Sequence, residues 1–128
     1  MDERSEKNLM GVHADLVKVV RKTMSDWASV NANSRLTVTE GVRSKARQAE
    51  LFKAGASMTM ESRHLTGHAV DLALLVDGKP DWSWPPFVRI GTLMKSNAGI
   101  LGVPIIWGGD WKTFRDGPHF ELDRAYYP

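Results

Sequence analysis

Leu9, Val12, Leu16, Val20 and Trp27 recur at three- and four-residue steps, with Val17 and Met24 widening the stripe. Lys18, Arg21, Lys22 and Asp26 fall elsewhere, so the spacing predicts an amphipathic helix over residues 9–27. The helix stops before Asn31-Ala32-Asn33-Ser34, a cluster of loop formers. Leu36-Thr37-Val38-Thr39 then predicts a short strand with Leu36 and Val38 on one face, broken at Glu40-Gly41. Ser44 is the expected N-cap of a helix over residues 45–53, with Gly55 as its stop. Ala46, Ala49, Leu51 and Phe52 supply that helix with a modest apolar side.

The run Ala69 to Val76 is short, apolar and closed by Asp77-Gly78, the pattern of a strand ending in a turn. Strand alternation puts Val70, Leu72, Leu74 and Val76 toward the core and Asp71 away from it, with Ala69 and Ala73. Residues 79–86 hold three prolines and two tryptophans and read as a loop. A second amphipathic helix is predicted over 87–101 through Phe87, Ile90, Leu93 and Met94. Residues 103–107 and 119–122 read as two last strands around a glycine-rich loop. Helices and short strands mixed in this order predict an α+β domain.

Length and composition narrow the picture. The chain has 128 residues, 42% of them apolar and 25% charged, which is the profile of one globular domain with its own core. No apolar run approaches the roughly 20 residues that span a bilayer. The opening MDERSEKNLM is polar, so no apolar signal core is expected. Cysteine is absent, which excludes disulfides, a thiol nucleophile and thiolate zinc sites. Seventeen basic against 15 acidic residues give a net charge of only +2, with no basic block for nucleic acid.

The candidate chemistry lies with four histidines, His13, His64, His68 and His119. Without cysteine, a His-Asp-His set is the natural zinc site, since a catalytic zinc takes three protein ligands and leaves one position open. Gly67 permits a turn that returns His64 to the side of Asp71, whereas His68 has the opposite parity on the strand. A helical reading competes, because His64, His68 and Asp71 also fall at i, i+4 and i+7; Gly67 weighs against it. In the last strand, Phe120 and Leu122 share one face and His119 and Glu121 the other, and Glu121 is placed to orient a ligand. Asp116, on the turn before Gly117-Pro118, is positioned as a general base. His13 and His68 read as structural. Trp82, Trp84, Trp107 and Trp111 could border a cleft, although such residues more often pack a small core.

Ser62-x-His64-x-x-Gly67-x-Ala69-x-Asp71, followed by Asp116-x-x-His119, resembles the signature of the zinc peptidases that include D-Ala-D-Ala dipeptidases and carboxypeptidases and phage L-alanyl-D-glutamate endolysins. The likeness extends upstream to Thr39 through Ser44 with Gln48, and to Trp107-Gly108-Gly109-Asp110-Trp111. Asp116 and Pro118, where the dipeptidases carry Glu and often Trp, resemble the phage endopeptidase branch.

This resemblance implies a small antiparallel sheet packed with helices in a single peptidase domain over 1–128, without a separate wall-binding domain. It implies Zn2+ held by His64, Asp71 and His119, catalysis by Asp116 and Arg43, and substrate contacts from Arg43, Gln48 and Ser62. The implied substrate is the peptidoglycan stem peptide, cut by a monomer that builds up in the host cytoplasm and acts on the wall in the periplasm. No nucleic-acid partner or stable membrane association is expected. A D,D-carboxypeptidase or dipeptidase, and a non-catalytic peptidoglycan-binding zinc module, are the alternatives.

Overall fold

The structure, a computed structural model, describes residues 1–57 and 59–128. Among these residues five strands form one sheet: β1 (Ser34–Glu40), β2 (Ala69–Val76), β3 (Lys79–Asp81), β4 (Ile105–Trp107) and β5 (His119–Leu122). The path runs β1-β2-β5-β4, all antiparallel, and β3 turns back on β2 at its far end. Four helices join them: α1 (Glu3–Asn8), α2 (Ala14–Val30), α3 (Lys45–Lys53) and α4 (Trp84–Leu101). The α+β class and the small antiparallel sheet are therefore as expected.

The apolar stripe of α2 packs with α4 against one face of the sheet. Leu16, Val19 and Val20 meet Ile90, Met94, Leu72 and Phe120 in a fully buried cluster. A buried Asn97 amide donates to Thr23 Oγ1 at 3.1 Å, satisfying both groups where the helices touch. Strand alternation leaves the opposite face of β2 and β5 for Asp71, His119 and Glu121.

Four expectations are corrected. The first helix is not continuous from Leu9: α1 ends at Asn8, and α2 starts at Ala14 behind a His13 cap whose Nδ1 accepts from the Asp15 N–H at 3.1 Å. Leu9 and Val12 in the intervening turn are buried all the same. Part of the predicted 79–86 loop is regular, as β3 and the first turn of α4, where Pro85 and Pro86 remove N–H groups the helix leaves unpaired anyway. Val76 is 40% exposed because β2 outruns the cover of the core at that end. Finally, the apolar side of α3 does not dock it: Ala46 and Phe52 are exposed, and its buried residue is Gln48.

Candidate metal centre

The register of the sheet builds the site. Asp71 on β2 is the direct partner of His119 on β5, so their side chains project from the same face at the same level. His64 reaches them from a 3₁₀ turn at Arg63–Thr66 that immediately precedes β2. That turn is capped by Ser62, whose Oγ accepts from the His64 N–H at 3.2 Å. Gly67 closes it at φ 76°, and any Cβ there would come within 2.5 Å of the Gly11 carbonyl oxygen. Glycine is thus required twice over, for the backbone angle and for the close approach.

His64 Nε2 lies 3.1 Å from Asp71 Oδ1 and 3.2 Å from His119 Nδ1. His119 Nδ1 is 3.4 Å from the same Asp71 oxygen. One donor atom from each of the three residues converges, all within 4.8 Å of one another. The remote nitrogens are spoken for: His64 Nδ1 sits 2.8 Å from the Gly41 carbonyl oxygen, and His119 Nε2 sits 2.9 Å from Glu121 Oε1. A ring that donates through its outer nitrogen presents a lone pair on the inner one, the tautomer a metal needs. Two imidazole nitrogens, each ring oriented from behind, and a carboxylate oxygen make a donor set that fits a zinc-type ion.

In the metal-free site Asp71 is the hydrogen-bond partner of both inner nitrogens. Burial opposes the charge on Asp71, but hydrogen bonds from His119 and His64 outweigh it and hold the carboxyl well below its ordinary range. Burial likewise works against a charged His119, yet its bonds to Asp71 and Glu121 win and raise it to about 9.

Asp116 stands in the same cleft, half-buried. Its carboxyl is pushed upward, first by burial and then by the negative charge of Asp71. Its backbone is clamped between Gly108 and His119: its N–H donates to the Gly108 carbonyl at 3.0 Å, and its carbonyl accepts from the His119 N–H at 3.2 Å. A Cβ at Gly108 would meet the Asp116 carbonyl oxygen at 2.4 Å. The Trp107 indole fixes the next residue, donating to the Gly117 carbonyl at 2.7 Å. Trp111 flanks the site, its ring 5.0 Å from that of His119, so of the four tryptophans it borders the cleft while Trp107 packs in the core.

Arg43 lines the cleft but is not free in it. Its Nε and Nη2 each donate to a Glu40 oxygen at 2.7 Å, Nη1 donates to Gln48 Oε1 at 2.8 Å, and Nη2 lies 3.8 Å from Asp71 Oδ2. Gln48 is fully buried and reaches the site only through Arg43, its amide donating on the other side to Ser57 Oγ at 2.8 Å and to the Thr59 carbonyl. Ser62 lies on the cleft wall as the cap already described. His68 points elsewhere: its Nδ1 is 2.6 Å from Thr66 Oγ1 and its ring lies beside His13. Two contributors escape sequence reading, Glu40 and the Gly41 carbonyl; the three-residue spacing of Glu40 and Arg43 is the signal that exposes the first.

Comparison with known proteins points the same way. The family model described as phage L-alanyl-D-glutamate peptidase matches residues 1–127. The crystal structure of the Serratia marcescens L-Ala D-Glu endopeptidase ChiX superposes with a TM-score of 0.87 at 43% identity, covering 100% of this chain and 92% of that one. The L-alanyl-D-glutamate peptidase of Listeria phage A118 is 34% identical over 89% of this chain, which spans only 39% of that longer protein. That of Escherichia phage T5 is 30% identical, with 98% of this chain and 90% of the relative aligned. A match running almost from end to end, on a chain with this fold, shows that it belongs to the phage L-alanyl-D-glutamate peptidase family.

Proposed function

We propose that this chain is a zinc-dependent endopeptidase that cuts the L-alanyl–D-glutamate bond of peptidoglycan stem peptides and serves as a phage endolysin. The observation that carries the proposal is the convergence of His64 Nε2, Asp71 Oδ1 and His119 Nδ1 in a cleft that also holds Asp116. His64, Asp71 and His119 would hold the zinc. When bound, zinc supplies the Lewis acidity that polarises a scissile carbonyl and acidifies water.

The chain's own residues do the rest. Asp116 accepts a proton from the attacking water and delivers it to the departing amine, so the amide C–N bond breaks and a carboxylate and an amine result. Its upward-shifted carboxyl suits both halves of that task, as base and then as acid. Arg43, held in place by Glu40 and Gln48, keeps N–H donors over for a developing oxyanion or a substrate oxygen. Ser62 sets the pitch of the turn that carries His64, and Glu121 keeps His119 in its ligating tautomer.

In this role the protein, as a monomer, accumulates in the host cytoplasm and meets the wall in the periplasm at lysis. Among the described residues no helix is long and apolar enough to cross a membrane. The test is digestion of purified sacculi with metal-loaded protein, followed by mass analysis of the fragments. New D-Glu amino termini without new reducing sugar ends are expected; release of D-Ala alone would overturn the endopeptidase reading in favour of a D,D-carboxypeptidase, and no cleavage at all would leave a binding module.

A further inference from the structure

Three guanidinium groups line the cleft, and they differ in how fully they are engaged. Arg43 is committed to Glu40 and Gln48. Arg63 is 9% exposed, with Nη2 donating to the carbonyls of Leu122 and Tyr127. Arg124 is different. Its side chain is exposed, and its ion-pair partner among the described residues is Glu121 Oε2 at 3.9 Å, too far for a hydrogen bond.

The backbone beneath Arg124 is nonetheless fixed. The Asp123 carbonyl accepts from the N–H groups of Tyr126 at 3.0 Å and Tyr127 at 2.9 Å, and Asp123 Oδ1 accepts from that of Ala125 at 3.0 Å. Arg63 grips the same segment on either side of the turn. A cation that makes no side-chain hydrogen bond among the described residues, on an anchored turn, is what recognition of a passing anion requires.

This end of the cleft also holds guanidinium donors that its carboxylate does not engage. Glu121 already serves His119 through Oε1. Arg63 Nε is buried and finds no hydrogen-bond partner among the described residues.

We infer that Arg124 recognises the free carboxylate of a glutamyl residue on the leaving side of the scissile bond. The inference rests on the peptidase reading above. A glutamyl residue has two carboxyl groups, and whichever one continues the chain, the other stays free and anionic at neutral pH. A guanidinium takes such a group through two parallel N–H donors. Arg124 lines the same cleft as His64, Asp71, Asp116 and His119, so an anion held by it shares that cleft with the reacting bond.

The test uses two matched peptides, one with L-Ala–D-Glu and one with the side carboxylate replaced by a carboxamide. Steady-state constants are measured on metal-loaded wild type, Arg124→Gln and Arg124→Lys. Wild type is expected to favour the carboxylate peptide by about tenfold in kcat/KM, expressed mainly in KM, since hydrogen bonds to a charged partner are the strong ones. Arg124→Gln should collapse the preference to about one, and Arg124→Lys should restore part of it. A preference unchanged in Arg124→Gln overturns the inference. Binding of the same peptides to metal-free protein, followed by NMR titration, reads the contrast without turnover. If wild type cuts neither peptide, the peptidase reading falls, while the binding contrast still decides for or against Arg124.

Discussion

Asp71 and His119 are direct cross-strand partners, and one Asp71 oxygen lies 3.4 Å from His119 Nδ1 although 48 positions separate them in the chain. The geometry of the proposed ligands is therefore set by sheet register, and His64 joins from the turn before β2 rather than from the helical His64/His68/Asp71 arrangement that its spacing also allowed. Elemental analysis should find one zinc per chain. His64→Ala and His119→Ala should lose it, and His68→Ala should keep it. At a hundredfold excess over Kd, zinc should stabilise the fold by about 2.7 kcal/mol, read as a rise in Tm. Equal zinc loss in all three variants would reinstate the helical site.

Zinc binding should release protons. In the metal-free site the hydrogen bonds that lift His119 to about 9 keep its ring protonated at pH 7, and a ligating nitrogen must give that proton up. Apparent affinity should therefore fall as pH is lowered through and below that value. Calorimetry in two buffers of different ionisation enthalpy measures the release directly. A pH-independent affinity between pH 6 and pH 9 would contradict it.

Asp116→Asn keeps the size of the side chain and removes its proton acceptor. Turnover should drop about 10²–10⁴-fold with zinc content unchanged. Asp116→Glu should retain measurable activity, provided the cleft absorbs one more methylene. Near wild-type turnover in Asp116→Asn would shift the assignment to Glu121, the other carboxylate beside His119.

Gln48→Leu should act on the site from outside the cleft. It leaves Arg43 Nη1 without its 2.8 Å acceptor in a buried place, a change worth about 1–3 kcal/mol of stability. Urea unfolding gives that figure. Because Gln48 holds Arg43, kcat should fall as well, whereas a variant that loses stability alone would show the two residues to be functionally separate.

The last strand was readable because alternation is an unambiguous code over four residues: two apolar positions fix the core face and leave His119 and Glu121 on the other. Asp71 followed from the same rule. The break between α1 and α2 was not readable, since it depends on a contact between distant segments. Gly11 takes φ 82°, and the His13 N–H donates to the Gly67 carbonyl at 2.8 Å, so the turn is shaped by the loop that carries His64. The engagement of Arg43 was hidden for a similar reason. Its sequence neighbours allow either a substrate contact or an internal pair, and the choice is made where β1 shifts register between Val38 and Glu40. Gln48, which the resemblance implies as a substrate contact, is instead fully buried, and only the docking of α3 reveals that its amide is spent on Arg43 and Ser57.

Both strands that bear proposed ligands, β2 and β5, occupy the interior of the β1-β2-β5-β4 order, with a neighbour on each side. Partial openings start at edges and ends, and interior strands separate only in the largest excursions. Asp71 and His119 are thus insulated from local fraying, whereas His64 rides on a short turn that can open by itself. Loss of a bound ion to excess chelator would then begin at His64, and its half-life would report how often that turn opens rather than how often the sheet does.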